Sequence, residues 1–253
     1  MGILNSQIKE KTEKDAKTKM PYSVTNTAFV PTGIDAIDYS FGDFQVNKKG
    51  EKIVNIGLGM GCIILMVGNS QGGKTTLGIQ IADGMNQSLG GKGDIIDLDY
   101  ENGLMSPKNR VMNITGMTEE EYEENFTHVR KELMSIEDLK DWVLRIVDMK
   151  KNLKKADMVE WKTLDGEPCL IYPPTFILVD SIPMLRSREL LEKEDMDSNM
   201  QAAQIAKVSN EVIAFINDKL QMYNITIIAM NHITTKVVTN AYAPKKIQFP
   251  GLA

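Results

Sequence analysis

The chain has 253 residues, 42% of them hydrophobic and 25% charged, enough to bury about three quarters of its unfolded surface around one large core and too apolar to be disordered throughout. No apolar run approaches the ~18 residues needed to cross a bilayer and the N-terminus lacks the apolar stretch of a secretion signal, so a cytoplasmic location is expected. The net charge of −5 excludes a surface coated in basic charge and confines any nucleic-acid contact to local segments.

Residues 1–30 are assigned to an N-terminal arm, in which Lys9, Lys11, Lys14, Lys17 and Lys19 alternate with Glu10, Glu13 and Asp15 and apolar anchors are few. A mobile arm and a helix docked on a neighbouring subunit both fit that pattern. Residues 31–253 form the core. Thr32 to Gly42 reads as a short helix with Ile34, Ile37 and Phe41 on one side. Cys62 to Val67 is then an apolar strand, Lys74 to Gln87 a helix and Asp94 to Leu98 a second strand, a βαβ unit. Thr118 with Glu121, and Ser135 with Asp138, mark two helix starts. Thr175 to Val179 is a buried strand, Met200 to Leu220 a long helix and Ile225 to Met230 another strand, and such alternation implies a mostly parallel sheet flanked by helices. Met158 to Thr163 and Cys169 to Tyr172 flank Leu164-Asp165-Gly166-Glu167, a turn signal that predicts an inserted β-hairpin. As a surface insertion it is expected to be dispensable for ligand binding. Cys62 and Cys169 lack the paired spacing of a zinc site and read as buried small hydrophobes.

Gly68-Asn69-Ser70-Gln71-Gly72-Gly73-Lys74-Thr75 has the spacing of a phosphate-binding loop, glycine, four residues, then Gly-Lys-Thr. Glycines let backbone N–H groups turn inward onto phosphate oxygens, and the following helix presents its positive end. Lys74 would reach the β- and γ-phosphates of ATP, the Thr75 hydroxyl would hold Mg²⁺, and Thr76 continues the helix start at the same ligand. Thr175-Phe176-Ile177-Leu178-Val179-Asp180 ends a buried strand on a carboxylate that would support the hydrated Mg²⁺. Hydrolysis needs a group that orients or deprotonates water, and Asp97, Asp99 and Glu101 end the neighbouring strand; Glu101 is the expected catalytic base. His232, after Met230-Asn231, is placed to sense the γ-phosphate.

The order of these parts resembles the RecA family, and among its members the phage strand-exchange recombinases of the UvsX type. The resemblance runs from about Pro31 to the end. It is carried by Pro31-Thr32-Gly33-Ile34-Asp35-Ala36-Ile37, the loop above, Asp99-Tyr100-Glu101-Asn102-Gly103, Val179-Asp180-Ser181-Ile182, Asp197-Ser198-Asn199-Met200 and Ala229-Met230-Asn231-His232. It implies a RecA-like P-loop NTPase core, a homo-oligomeric filament on single-stranded DNA, ATP between adjacent subunits, and two DNA-contacting loops. The first spans about Arg186 to Asn199, with Arg186 and Arg188 as its plausible contacts. The second follows His232, where Lys236, Lys245, Lys246 and Phe249 lie in a stretch without acidic residues, suited to neutralising phosphates and stacking on bases. The family continues beyond the position matching Ala253, so the core is expected to be truncated at its C-terminal part, where a second polypeptide could complete it. A ring-forming replicative helicase of the same superfamily, and a nucleotide-binding assembly module with little turnover, are the alternative readings.

Overall fold

The computed structural model describes residues 22–46, 50–100, 107–130, 135–192, 198–235 and 247–248. In chain order its elements are helix α1 (Asp35–Ser40), strands β1 (Asp43–Val46), β2 (Lys52–Asn55) and β3 (Ile63–Gly68), helix α2 (Lys74–Ser88) and strand β4 (Asp94–Asp99). Helices α3 (Pro107–Thr115) and α4 (Glu119–Asn125), strand β5 (Phe126–Arg130) and helix α5 (Ile136–Lys151) follow. The last part holds β6 (Val159–Lys162), β7 (Pro168–Ile171), β8 (Thr175–Asp180), α6 (Arg188–Glu192), α7 (Ser198–Tyr223), β9 (Ile225–His232), β10 (Thr234–Thr235) and β11 (Ile247–Gln248).

Period-two alternation in the central strands sorts their side chains onto two faces, and both are covered. Ile95, Phe176, Leu178, Ile228 and Met230 pack with Ile79 and Met85 of α2, Val111 of α3 and Tyr122 of α4. Ile96, Leu98, Ile177, Val179, Ile227 and Ala229 pack with α5 and with Val212, Ile216 and Leu220 of α7. The five strands run in the order β3-β9-β8-β4-β5, and every neighbouring pair is parallel. The chain is thus α/β with a mostly parallel central sheet between helices, as the alternating pattern implies. On edge strand β3, Ile64 and Met66 pack on the first face while Leu65 and Val67 are 42% and 40% exposed.

Local chemistry accounts for the element ends. α4 and α5 both begin with capping boxes, Thr118 with Glu121 and Ser135 with Asp138, each satisfying two amides that the first turn leaves without helical partners. α2 passes so close to the N-terminal segment that a Cβ on Gly84 would stand 1.8 Å from the Thr32 carbonyl oxygen, so only glycine fits there. At the amino ends of the strands, buried Lys150 of α5 donates to the carbonyls of Pro173 (2.7 Å), Tyr223 (2.8 Å) and Asn224 (3.1 Å), tying α5 to the starts of β8 and β9.

The hairpin forms as the turn signal requires, with β6 and β7 antiparallel and Val159 opposite Ile171; Gly166 in the turn has φ +81°. It is not a surface appendage, which corrects the expectation from sequence. Val159 and Ile171 are 4% and 0% exposed and belong to the same cluster as Ile79 and Met85. Trp161 Nε1 donates to the Ala28 carbonyl at 3.0 Å, and Ala28 N donates back to Lys162 O at 2.9 Å. The segment from Val24 to Val30, assigned from sequence to an arm, is therefore part of the core: Val24 and Val30 are buried in that cluster. Residues 1–21 of the arm lie outside the described residues.

Two smaller differences have physical causes. The helix at Thr32–Gly42 shortens to Asp35–Ser40 because the Asp38 carboxylate accepts from Thr32 N and Oγ1, both at 2.7 Å, and from Gly33 N at 3.1 Å, holding those residues in a turn. Phe41 then falls beyond the last helical residue and is 62% exposed, while Ile34 and Ile37 pack on the core. Cys62 and Cys169 are half-buried rather than buried; Cys62 directly precedes β3 and its thiol donates to the Gly59 carbonyl at 3.3 Å.

Candidate functional site

The carboxyl ends of β3, β9, β8 and β4 lie at one edge of the sheet, and the sequence puts a polar or flexible residue at each: Gly68, His232, Asp180 and Asp99. Register makes two level pairs of them, the first standing two residues beyond the second along the sheet. Gly68 pairs with His232 and Asp99 with Asp180. In open parallel sheets the crevice outside these ends is where ligands sit.

From Gly68 the chain turns into α2 through an exposed loop, Asn69 to Gly73. Gln71 and Gly73 have φ of 59° and 81°, the left-handed conformation that glycine adopts without strain. Gly72 N donates to Asn69 O at 3.2 Å, and a Cβ on Gly72 would stand 3.0 Å from that same oxygen, so a side chain would crowd the turn. Gly73 offers α2 no side-chain cap and the first turn carries no acidic residue. No side chain of α2 itself therefore neutralises its first amides and positive end.

Lys74, the first residue of α2, curls back under the loop. Its Nζ donates to Asn69 O at 2.9 Å and to Gly68 O at 3.3 Å, and stands 3.2 Å from His232 Nδ1. Thr75 Oγ1 donates to Asp180 Oδ2, joining α2 to β8 across the intervening β9. Thr76 is half-buried beside them. Asp180 is 8% exposed, its carbonyl accepts from Tyr100 N at 2.8 Å, and the peptide to Ser181 is cis. Lys74, Thr75, Asp180 and His232, assigned from sequence far apart in the chain, are thus brought together.

Of the three acids at the end of β4, Asp97 faces inward. It is fully buried and His128 Nδ1 lies 2.9 Å from its Oδ2. Burial pushes its carboxyl above the usual range and His128 pulls it back. It is a partner for the edge strand β5, a role sequence reasoning left open. His128 itself went unassigned: it is one of only two histidines, but nothing local signals its partner on the adjacent strand. Asp99 is 2% exposed beside Asp180. Glu101, the expected base, lies outside the described residues.

The proposed DNA contacts divide in the same way. Arg186 is exposed and its carbonyl accepts from Ile136 N at 2.9 Å. Arg188 is held by α5, with Nη2 at 2.8 Å from Asp138 and 2.5 Å from Asp141, so a DNA phosphate would have to compete with two carboxylates for it. Lys236, Lys245, Lys246 and Phe249 lie outside the described residues. Among the described residues no helix is long and apolar enough to cross a membrane.

Fold and site together define an α/β protein whose parallel sheet carries, at its carboxyl edge, a glycine-rich strand-to-helix loop beside a lysine, a hydroxyl–carboxylate pair and a histidine. Comparison with protein-family models gives no match, and comparison with curated proteins gives none either.

Proposed function

We propose that this chain is a RecA-like P-loop ATPase that binds ATP with Mg²⁺ and hydrolyses it in response to single-stranded DNA, working as a homo-oligomer in strand exchange. The observation that carries the reading is the meeting of Thr75 Oγ1 with Asp180 Oδ2 while Lys74 lies under an exposed glycine loop at an uncapped helix start. That set suits a nucleoside triphosphate: loop and helix amides donate to phosphate oxygens, and the Lys74 ammonium adds charge. Mg²⁺ commonly takes one or two protein oxygens beside substrate phosphates, and Thr75 and Asp180 offer these. Bound there, Mg²⁺ would neutralise phosphate charge. Asp180 would orient its hydration, Glu101 would deprotonate or orient the attacking water, and His232 would meet the terminal phosphate. Arg186, Lys236, Lys245, Lys246 and Phe249 are the proposed DNA contacts, with Arg188 only if it leaves Asp138 and Asp141.

Turnover of Mg²⁺-ATP with and without single-stranded DNA tests this directly, with Lys74→Ala as the control. Losing a charge-assisted hydrogen bond costs about 1.5–3 kcal/mol, so nucleotide affinity should fall roughly ten- to hundredfold, while the half-exposed position leaves the core intact. Equal affinity and turnover in the variant would refute the site, and turnover indifferent to DNA would refute the recombinase assignment.

A further inference from the structure

We propose that the cleft between α5 and the amino ends of β4, β5 and β8 binds a neutral, flat nitrogen heterocycle that presents an acceptor beside two N–H donors, the edge of a guanine-type base. The cleft lies one strand length, about 17 Å, from the carboxyl edge that carries the glycine-rich loop. It does not depend on the nucleotide reading above.

Register builds the floor. Asp94 pairs with Thr175 across β4 and β8, and Ile96 with Thr127 across β4 and β5, so period two puts all four side chains on the face that α5 covers. α5 faces them with Trp142, Ile146, Met149 and Lys150, spaced as one side of a helix. The space between is about 430 Å³, the size of a small-molecule site, and it has the usual make-up of one, apolar walls with a few placed polar groups.

Two of those polar groups lack protein partners. Asp94 is exposed, and among the described residues none donates a hydrogen bond to its carboxylate. Lys150 attracts it through space only, because its three ammonium hydrogens go to the carbonyls of Pro173, Tyr223 and Asn224. Loss of hydration in the cleft pushes the Asp94 carboxyl above its usual range, and Lys150 pulls it back. On the adjacent strand, Thr175 Oγ1 is buried with no hydrogen-bond partner.

Charge selects the occupant. An ionised carboxylate only accepts, so it calls for donors and repels an anion. A full cation would meet Lys150, the exposed Lys92 and the Arg145 guanidinium, which stands 5.7 Å from the centroid of the Trp142 ring. Those are three positive groups against one carboxylate. A neutral pair of N–H donors replaces the hydration that Asp94 has lost without that repulsion, and a carbonyl beside the pair suits the Thr175 hydroxyl. A flat ring also fits against the Trp142 indole, where offset stacking adds to burial.

Equilibrium dialysis of the full chain against guanosine and inosine tests the proposal. Neither carries a phosphate for the glycine-rich loop, and inosine lacks only the 2-amino group, one of the two donors. A hydrogen bond to a charged acceptor is worth a factor of roughly ten to a hundred, so guanosine should bind at least roughly tenfold more tightly than inosine. Asp94→Ala should remove that preference, and the fold does not depend on an exposed side chain that accepts no hydrogen bond from the described residues. Lys74→Ala should leave guanosine binding as it is. The wild-type comparison carries the test if a variant does not fold. Equal affinities for the two nucleosides, a preference that survives Asp94→Ala, no guanosine binding up to its solubility, or guanosine binding lost in a folded Lys74→Ala would each overturn the proposal.

Discussion

If the β6–β7 hairpin is part of the core, Ile171→Ala should destabilise the whole protein. Ile171 is fully buried, pairs with Val159 across the hairpin, and shares a cluster with Ile79 and Met85 of α2. Truncating a fully buried isoleucine removes transfer free energy and leaves a cavity, together about 2–5 kcal/mol. For a domain of this size each kcal/mol shifts the melting temperature by roughly 2–4 °C, so a fall of roughly 4–20 °C is expected, with a lower urea midpoint at unchanged m. Glu160→Ala, exposed on the partner strand β6, should stay within about 0.5 kcal/mol. Point substitutions are preferable to deletion because they leave the ordered chain length, and hence the conformational entropy, unchanged. Because α2 opens at Lys74, the destabilised variant should also lose nucleotide affinity near its transition and not well below it. If Ile171→Ala and Glu160→Ala unfold at the same midpoint, the hairpin is an appendage and this packing argument fails.

Glu101→Gln should keep nucleotide affinity and lose hydrolysis, since the amide keeps the shape and removes the base; if Asp99→Asn does this instead, the base was misassigned. Replacing Lys236, Lys245 and Lys246 together by alanine should weaken single-stranded DNA binding and flatten its dependence on salt, leaving ATP binding alone; an unchanged salt slope would exclude these lysines as contacts. Lys150 bears on stability: burial pushes its ammonium from the usual 10.5 down to about 7, with Asp94 pulling the other way. Between those values the unfolded chain binds more protons than the folded one, so this contribution grows as pH rises from about 7, by up to about 1.4 kcal/mol per unit, and is lost as pH falls back. Unfolding free energies in wild type and Lys150→Met should therefore diverge over that window, and parallel curves would refute the reading.

The strands legible in the sequence are those buried on both faces. Thr175-Phe176-Ile177-Leu178-Val179 and Ile225 to Met230 are continuous apolar runs, and a parallel sheet covered by helices demands that pattern. The edge strand β5 escapes the same reading because Phe126-Thr127-His128-Val129-Arg130 is short, half polar and follows α4 without a turn signal. β1 and β2 are missed for a related reason: among the described residues they pair only with each other, and Val46 and Val54 remain 67% and 47% exposed, so burial imposes little pattern on them. α3 opens on a proline but buries only Val111 deeply, too little for periodicity to stand out.

At the site, composition and spacing nominate residues, but only register says which of them meet. The loop motif names Lys74 and Thr75, and the acid after a buried run names Asp180, yet nothing local says that β9 lies between β3 and β8. That strand order has a chemical consequence. With β8 placed second from β3, the Thr75 hydroxyl reaches Asp180 across the end of β9, and β9 delivers His232 directly against Gly68 and Lys74. A sheet with β8 adjacent to β3 would keep the same motifs and separate the histidine from the lysine. The residue that follows His232 donates its N–H to the Gly68 carbonyl, which ties the end of β9 to the start of the glycine-rich loop. On the proposed reading, a nucleotide bound at Lys74 would act beside that N–H, at the start of the segment proposed to hold DNA, and by linkage DNA bound there would change nucleotide affinity by the same factor.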